Sequence, residues 1–465
     1  MLHIDVSRCR DVGIKLSAWL SITERIAPEY ILPPSLELGT REHACFLFFT
    51  ANLDQALMIR RIRPVRYSGR ILVGADALWC YSRNLTQYSS RVFLPETLLE
   101  IARARSIDEL TYFLMWAYPG LGQPGVAAQY WLWNARCLLD RYNGDPRKIA
   151  QRYRTAASIT KELRRFKGIG DKLSSFITRF MYKMGYWKIA DPERVSIPAD
   201  IHLRKLAFRT GMVKALTPRI SLAGRDVTIL VKRAYEKAAR AAGVYPMDLD
   251  EPAWHIARLC CSRRYGDFSC YDCDPEKRSR CYLAEYCMGR CPLSSVCEHN
   301  TSLELYYAGN LIDRTVRGIA RISELEDLYP VLQDWLEQER GFGMWMADWP
   351  VDALKIDYVA HDEVSCHVVA IEGIINGERR LKDHLSKIRF ISRAADEPYV
   401  ATNDRSIVDD IIRQGLGVLL YDHDQRRISS ITEPAKQAPD PQLKAKAIRA
   451  LGAVLSCLQL IRESA

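Results

Sequence analysis

Two short stretches determine how this chain is interpreted: Phe166-Lys-Gly-Ile-Gly-Asp-Lys172 and, further on, Ile197-Pro-Ala-Asp200-Ile-His202. In the first stretch, Gly168 and Gly170 flank one apolar residue, which permits a tight turn with outward N–H groups, as at a phosphate-binding helix start. The apolar residues that follow recur with a period of about 3.6 residues, which is typical of one buried helix face. They are Leu173, Phe176, Ile177, Phe180, Met181 and Met184. The pattern therefore predicts a phosphate-binding turn followed by an amphipathic helix.

Gly-Ile-Gly-Asp-Lys followed by Pro-Ala-Asp-Ile-His resembles the helix-hairpin-helix and the catalytic-aspartate loop of the endonuclease III superfamily of DNA glycosylases. The resemblance implies that Lys172 is the nucleophile and that Asp200 assists cleavage of the N-glycosidic bond. It also implies that Gly168, Gly170 and Lys167 contact DNA. The chain departs from the family in two ways: the stretch between lysine and aspartate is long, and Lys167 replaces a common proline.

The reaction implied by this resemblance begins when the target nucleotide leaves the stack of double-stranded DNA that contains a damaged or mispaired base. Lys172 then attacks the sugar C1′, which requires a neutral amine, and desolvation would lower the pKa of that amine. Asp200 stabilises the cationic sugar, and the resulting Schiff base permits strand nicking. Gln123, in a glycine-rich connector, is a candidate to fill the hole left by the flipped base, although a plain connector is the alternative reading.

Length and charge agree with a multidomain DNA-binding protein. The chain has 465 residues, too many for one ordinary core, and a formal net charge of +10, the sign that meets phosphates. The sequence shows neither a signal-peptide pattern at its start nor an apolar run of the roughly 18 residues that a membrane span needs. We therefore expect a cytoplasmic, nucleoid-associated protein without a membrane partner.

Eight of the 14 cysteines lie between residues 260 and 297, which favours metal ligation over disulfides in a chain without a signal peptide. Many relatives of the resembled family carry a [4Fe–4S] cluster in this place. The resemblance implies four ligands, with tetrahedral zinc as the alternative to the cluster. They are Cys281, Cys287, Cys291 and Cys297, whose spacing differs from the family's at the second cysteine. A second set stays open, either as replacement ligands or for a second metal: Cys260, Cys261, Cys270 and Cys273.

Beyond residue 300 the pattern predicts a helix at 330–339, strands at 342–349, 353–360 and 365–374, a helix at 379–395, a strand at 399–402, a helix at 406–414 and a strand at 417–421. This αβββαβαβ order resembles the core of PD-(D/E)XK nucleases, although an unrelated α/β domain is an alternative. The resemblance implies that Asp357 and Glu372 bind Mg²⁺. Ile374 stands where that family has its lysine, and Lys382 or Lys387 from the next helix could substitute for it. We expect a degenerate domain that binds DNA or braces the helical part without cutting.

The expected architecture is an all-α helix-hairpin-helix glycosylase fold joined to a C-terminal α/β domain. Its segments are a mixed N-terminal region of unknown role at 1–95, the helical glycosylase domain at 96–258, a cysteine-rich metal-binding loop at 259–300, the α/β domain at 305–430 and a C-terminal helix at 431–465. The predicted function is that of a DNA glycosylase and abasic-site lyase in base excision repair. Two alternatives are a Mg²⁺-dependent endonuclease that uses the C-terminal domain and a non-catalytic DNA-binding scaffold.

Overall fold

The computed structural model describes residues 2–59, 61–67, 70–104, 106–217, 219–259, 261, 283–288, 290–298, 303–307, 310–311, 328–342, 344–351, 354–362, 367–374, 378–422, 425, 427–435 and 438–463. The chain divides into two compact units that interleave in sequence. The helical unit contains Met1–Asn52 and Trp133–Arg321, and the mixed unit contains Leu53–Leu132 and Ile322–Ala465.

The described part of the helical unit contains mostly α-helices. They are Val6–Ser17, Leu20–Ile26, Arg41–Leu53, Ile149–Arg152, Ala156–Leu163, Asp171–Lys183, Ile201–Arg209, Arg225–Ala242, Asp250–Leu259 and Ala284–Cys287, together with the last part of Pro124–Tyr142. Short 3-10 turns occur at Pro28–Tyr30, Pro146–Lys148, Pro192–Arg194 and Pro246–Leu249. Strand Leu2–Ile4 pairs antiparallel with Val213–Ala215, and Arg219–Ser221, Glu304–Tyr307 and Asn310–Leu311 form a three-stranded sheet.

The N-terminal helix Val6–Ser17 is part of the core of this unit. Cys9, Val12 and Leu16 are buried in the same hydrophobic cluster as residues of the helices Ile201–Arg209 and Arg225–Ala242. Helix Val6–Ser17 and helix Arg225–Ala242 approach closely at Gly13, where an added Cβ would lie 2.3 Å from the carbonyl oxygen of Ala238. The start of the chain thus contributes to the packing of the helix that Asp200 begins.

Helices Ala156–Leu163 and Asp171–Lys183 are joined by the glycine-containing turn. Thr155 caps the first of them by accepting a hydrogen bond from the backbone N–H of Ser158. The second helix buries the predicted apolar stripe, apart from Met184, which is half-buried. The prediction of an amphipathic helix after the turn is therefore confirmed.

The mixed unit combines helices with one large sheet. Its described helices are Ala56–Ile59, Ala75–Leu85, Pro95–Ala104, Ile107–Ala117, the first part of Pro124–Tyr142, the segment 328–334 with the π-helical turn Trp335–Glu339, Glu378–Ala394, Val408–Ile412 and Pro441–Glu463. A small hairpin pairs Val65–Tyr67 with Arg70–Leu72.

The six strands of the large sheet lie in the spatial order Arg427–Thr432, Gly417–Asp422, Glu397–Thr402, His367–Ile374, Leu354–Asp362 and Trp345–Val351. The three central strands, from Gly417–Asp422 to His367–Ile374, are parallel, and the outer pairings are antiparallel. Successive residues alternate between two cores: Tyr399 packs with the helical segment 328–339, and Val400 packs with Ile388.

The predicted αβββαβαβ order is confirmed, and the sheet has one further edge strand, Arg427–Thr432, that the pattern missed. This strand carries polar residues at most positions and buries only Ile428, so its hydrophobic alternation is weak. The combination of a helical part with a C-terminal α/β region is also confirmed. None of the described helices is both long and apolar enough to cross a membrane.

Candidate active site

The glycine turn is held by two buried asparagines. Gly168 has φ +76°, a left-handed conformation that favours glycine, and Gly170 lies at the N-cap of helix Asp171–Lys183. The backbone N–H of Lys167 donates to Asn134 Oδ1 (2.7 Å), while the Nδ2 groups of Asn134 and Asn52 both donate to the Lys167 carbonyl (3.0 Å each). Both amides thereby fix the peptide that precedes the turn.

Lys172 and Asp200 come together although 27 residues separate them. Lys172 Nζ lies 3.9 Å from Asp200 Oδ2. The side chain of Asp200 is 12% exposed and that of Lys172 is 42% exposed. The protein alone leaves the lysine partly exposed, so the desolvation that a neutral amine requires would have to come from a bound macromolecule. An amine beside a carboxylate at an accessible surface is an arrangement suited to nucleophilic attack assisted by a base.

Asp200 is fixed through both of its carboxylate oxygens. As the N-cap of helix Ile201–Arg209, its Oδ1 accepts hydrogen bonds from the backbone N–H groups of His202 (2.9 Å) and Leu203 (3.1 Å). Its Oδ2, the oxygen that faces Lys172, accepts a hydrogen bond from Trp254 Nε1 (3.1 Å). Trp254 has no local sequence signal of this role, because it lies 54 residues beyond the aspartate on helix Asp250–Leu259.

Aromatic and basic side chains lie around Asp200. The ring of His202 lies 5.9 Å from that of Trp254, edge to face, and the guanidinium of Arg258 lies 4.5 Å from the Trp254 ring centre. Burial lowers the pKa of His202 to about 4, against the opposing effect of Asp200, so the imidazole is neutral at neutral pH. Asp200 therefore has Lys172 as a cationic neighbour rather than a histidinium.

A buried ion network lies on the same helices. Arg179, from helix Asp171–Lys183, pairs with Asp250 and with Glu251, the latter at 2.6 Å, and all three side chains are buried. Burial raises the pKa of Asp250 to about 7 despite the opposing guanidinium. Breaking a buried pair of this kind leaves an uncompensated charge, so the network holds helix Asp250–Leu259 against the helix that carries Lys172.

Lys167 and Trp133 form an exposed cation–aromatic pair beside the turn. Lys167 Nζ lies 5.2 Å from the centre of the Trp133 ring, which is 47% exposed. Gly170 has open space where a Cβ would stand. Lys167, the Trp133 ring and the backbone at Gly170 are thus all exposed, and such features contact phosphates and unstacked bases.

Gln123 belongs to the mixed unit and not to the unit that holds Lys172 and Asp200. It is exposed, with φ +57°, and its carbonyl accepts hydrogen bonds from Val126 and Ala127 at the start of helix Pro124–Tyr142. Its left-handed backbone is uncommon for glutamine. Its predicted role beside a flipped base stays a prediction.

Three of the four predicted metal ligands are described, and Cys281 lies outside the described residues. Cys291 and Cys297 pack against the core of the helical unit, Cys297 Sγ lies 3.4 Å from the Arg209 carbonyl, and Cys287 ends helix Ala284–Cys287. The sulfur atoms of these three thiols do not all lie within 4.8 Å of one another. A [4Fe–4S] cluster binds each thiolate to a different iron and so accepts wider spacing.

Most cysteines of the second possible ligand set lie outside the described residues. Cys260, Cys270 and Cys273 lie outside the described residues. Cys261 packs, partly buried, against the same core as Cys291 and Cys297. The predicted choice between the two cysteine sets therefore stays open.

In the mixed unit, the acidic pair predicted for Mg²⁺ lies on neighbouring strands. Asp357 Oδ2 accepts from the backbone N–H of Gly373 (2.8 Å), and Asp357 Oδ1 pairs with Arg63 (2.8 Å). Glu372 is fully buried, and its Oε1 lies 2.6 Å from both Lys387 Nζ and His384 Nδ1. Burial and the neighbouring Asp357 raise the pKa of Glu372. Of the two substitute lysines expected, Lys387 thus reaches the acid, and the side chain of Lys382 lies outside the described residues.

No protein-family model matches this chain, and no curated protein does. Among solved structures, one match is a protein of unknown function from Silicibacter pomeroyi, 15% identical in sequence. It covers 28% of this chain and 84% of its own, with a TM-score of 0.22. A similarity at this level carries no argument about fold or function.

Proposed function

We propose that this protein is a DNA glycosylase with abasic-site lyase activity that acts on double-stranded DNA containing a damaged or mispaired base, with a helix-hairpin-helix at Ala156–Leu163 and Asp171–Lys183. The observation that carries the proposal is the 3.9 Å approach of Lys172 Nζ to Asp200 Oδ2 at the end of the glycine turn. The net charge of +10 supports a polyanionic partner.

In the proposed reaction, the amine of Lys172 attacks C1′ and the bond from C1′ to the base breaks, so that the base leaves with the bonding electron pair. Asp200 stabilises the positive charge on the sugar and accepts the proton that the lysine nitrogen loses. Opening of the sugar ring gives a protonated Schiff base, and loss of a C2′ proton then expels the 3′ phosphate. Bound DNA covers the exposed Lys172 and thereby desolvates its amine.

A [4Fe–4S] cluster held by Cys281, Cys287, Cys291 and Cys297 is part of this proposal, with zinc as the alternative. The cluster would tie the cysteine segment to the helical unit as a rigid surface and takes no part in bond cleavage. Protein purified without oxygen should then be brown and contain iron. If the protein is colourless and contains stoichiometric zinc, the four cysteines bind zinc and not a cluster. A metal-free protein would contradict both the cluster and the zinc site.

The decisive experiment presents a panel of oligonucleotide duplexes, each with one damaged or mismatched base, to the full chain in EDTA. The proposal requires nicking of at least one substrate and its trapping as a covalent adduct by borohydride, since only a Schiff base is reduced to a stable link. Binding without nicking or trapping across the panel would favour the scaffold alternative.

The position of Lys387 favours a second candidate function, a Mg²⁺-dependent nuclease in the mixed unit. Lys387 Nζ, 2.6 Å from Glu372, supplies the basic group that is missing at Ile374, while Asp357 and Glu372 would bind the ion. Arg63, which pairs with Asp357, would first have to yield its place. While Arg63 stays in place, Asp357 pairs with Arg63 and Glu372 pairs with Lys387, so the two acids form a charge-neutralised structural cluster.

The two uses of the acidic pair differ in their response to magnesium. A nuclease should nick undamaged duplex with Mg²⁺ but not in EDTA, and Lys387→Met should abolish that activity while Lys446→Met, at an exposed lysine of the same unit, keeps it. Absence of Mg²⁺-dependent nicking in the wild type would leave this unit with a DNA-binding or bracing role.

A further inference from the structure

A second group of metal-ligand side chains lies in the helical unit. Glu29 belongs to the 3-10 turn Pro28–Tyr30, and Glu251 and His255 lie one turn apart on the same face of helix Asp250–Leu259. Glu251 Oε1 is 2.5 Å and Glu29 Oε1 is 3.6 Å from His255 Nε2. The ligand atoms of the three residues all lie within 4.8 Å of one another, the only such group among the described residues.

These three side chains are almost fully removed from solvent. Glu29 is 5% exposed, Glu251 is 2% exposed and His255 is fully buried. Arg179 lies 2.6 Å from Glu251 Oε2 and balances that carboxylate. Glu29 Oε2 is buried and has no hydrogen-bond partner in the part of the chain that the structure describes. Two carboxylates this close in a buried site need a proton or a cation between them.

We propose that Glu29, Glu251 and His255 bind one divalent transition-metal cation, of the class of Zn²⁺ or Mn²⁺, that links turn Pro28–Tyr30 to helix Asp250–Leu259. Two carboxylate oxygens and one imidazole nitrogen form a mixed O and N ligand set, which suits these ions better than Ca²⁺ or Mg²⁺. Glu29 and Glu251 would each contribute one oxygen ligand, while Glu251 Oε2 keeps its contact with Arg179. The ligand oxygen of Glu29 would be Oε1, the oxygen that faces His255.

Binding requires one local change. With metal–ligand distances near 2.1 Å, tetrahedral ligands lie about 3.4 Å apart, so the contact between His255 and Glu251 opens from a hydrogen bond to a metal-bridged separation. The distance from Glu29 to His255 already fits. The cation would also fix the helical turn that carries Trp254, the residue next to His255.

The test uses Mn²⁺ as the probe with the full chain, after removal of bound metal, because the thiolates of the cysteine-rich segment prefer softer ions. Loss of the free Mn²⁺ signal in electron paramagnetic resonance measures the bound ion. We expect the wild type and Glu193→Gln, at an exposed acid of the same unit, to bind about one more Mn²⁺ per chain than Glu29→Gln. Equal binding by all three proteins would overturn the proposal and leave a shared proton between the carboxylates.

A second measurement does not depend on the folding of the Glu29 variant. Pulsed resonance on the Mn²⁺-loaded protein should detect coupling to an imidazole nitrogen, because His255 is a ligand. The measurement uses His384→Gln as the background, so that the imidazole beside Glu372 cannot contribute. Absence of nitrogen coupling in that protein would contradict the site even if Mn²⁺ binds.

Discussion

Trp254 donates an indole hydrogen bond of 3.1 Å to Asp200 Oδ2, the same oxygen that lies 3.9 Å from Lys172 Nζ. The other oxygen of Asp200 caps helix Ile201–Arg209, so the carboxylate cannot rotate without losing one of these contacts. The orientation of the carboxylate toward the lysine therefore depends on a residue from a third helix. Trp254 is a positioning residue for the proposed reaction.

Trp254→Phe should slow base release about thirtyfold in single turnover, since a hydrogen bond to a charged group contributes on the order of 2 kcal/mol. Duplex affinity should stay unchanged, because Phe keeps the packing and adds no repulsion. Trp187→Phe is the matched control, since its indole donates to the Pro146 carbonyl instead. A variant that loses stability but retains the wild-type rate would show that Trp254 has only a structural role.

Lys172→Gln should abolish both borohydride trapping and strand nicking. Duplex affinity should fall only slightly, because one charge among many phosphate contacts is a small share of binding. Lys188→Gln, at another exposed lysine of the helical unit, controls for the charge. Undiminished trapping in Lys172→Gln would exclude Lys172 as the nucleophile.

Asp200 has two roles that two substitutions separate. Asp200→Asn keeps a capping oxygen but removes the charge, so base release should slow by about a hundredfold or more with little change in stability. Asp200→Ala should in addition lower the free energy of unfolding by about 1 kcal/mol through the lost cap. Single-turnover rates and denaturant midpoints measure the two effects. A wild-type rate in Asp200→Asn would make this loop purely structural.

Gly170→Ala tests the proposed phosphate contact at the turn. A Cβ there meets open space, so stability should change little, while duplex affinity should fall because the methyl group stands where a phosphate approaches. Gly13→Ala should behave in the opposite way, with a loss of about 1–3 kcal/mol from the clash with Ala238 and no specific effect on DNA. Unchanged affinity in Gly170→Ala would place the DNA elsewhere.

Acid should destabilise the helical unit in part through His43. Burial lowers the pKa of His43 to about 4, and its Nδ1 lies 2.6 Å from the Tyr186 hydroxyl. Between pH 6.5 and 4 the unfolded chain binds the proton that folded His43 excludes, so this part of stability is present above pH 6.5 and is lost on acidification. Its size is on the order of 3 kcal/mol. Denaturant midpoints of His43→Gln should depend less on pH than those of the wild type or of His3→Gln, at an exposed histidine.

The sequence by itself determined the local elements that follow from periodicity and turn chemistry. The helix after Gly170, the three strands around Asp357 and Glu372 and the helix that carries Lys387 all appear close to their predicted bounds. Each has a strong apolar repeat or is bounded by glycine or proline, and such signals act over a few residues. The sequence also named Lys172 and Asp200, because their motifs are local.

Only the tertiary structure decided which distant residues complete these sites. Asn52 and Asn134 hold the Lys167 peptide, Trp254 orients Asp200, and Arg63 reaches Asp357 from nearly 300 residues away. The interleaving of the two units in sequence is likewise a feature that only the tertiary structure decided. Contacts of this type depend on the packing of whole helices, which a single side chain in the sequence does not reveal. The one local signal of such contacts was an asparagine within an apolar helix, as at Asn52 and Asn134, since a buried amide requires a hydrogen-bond partner.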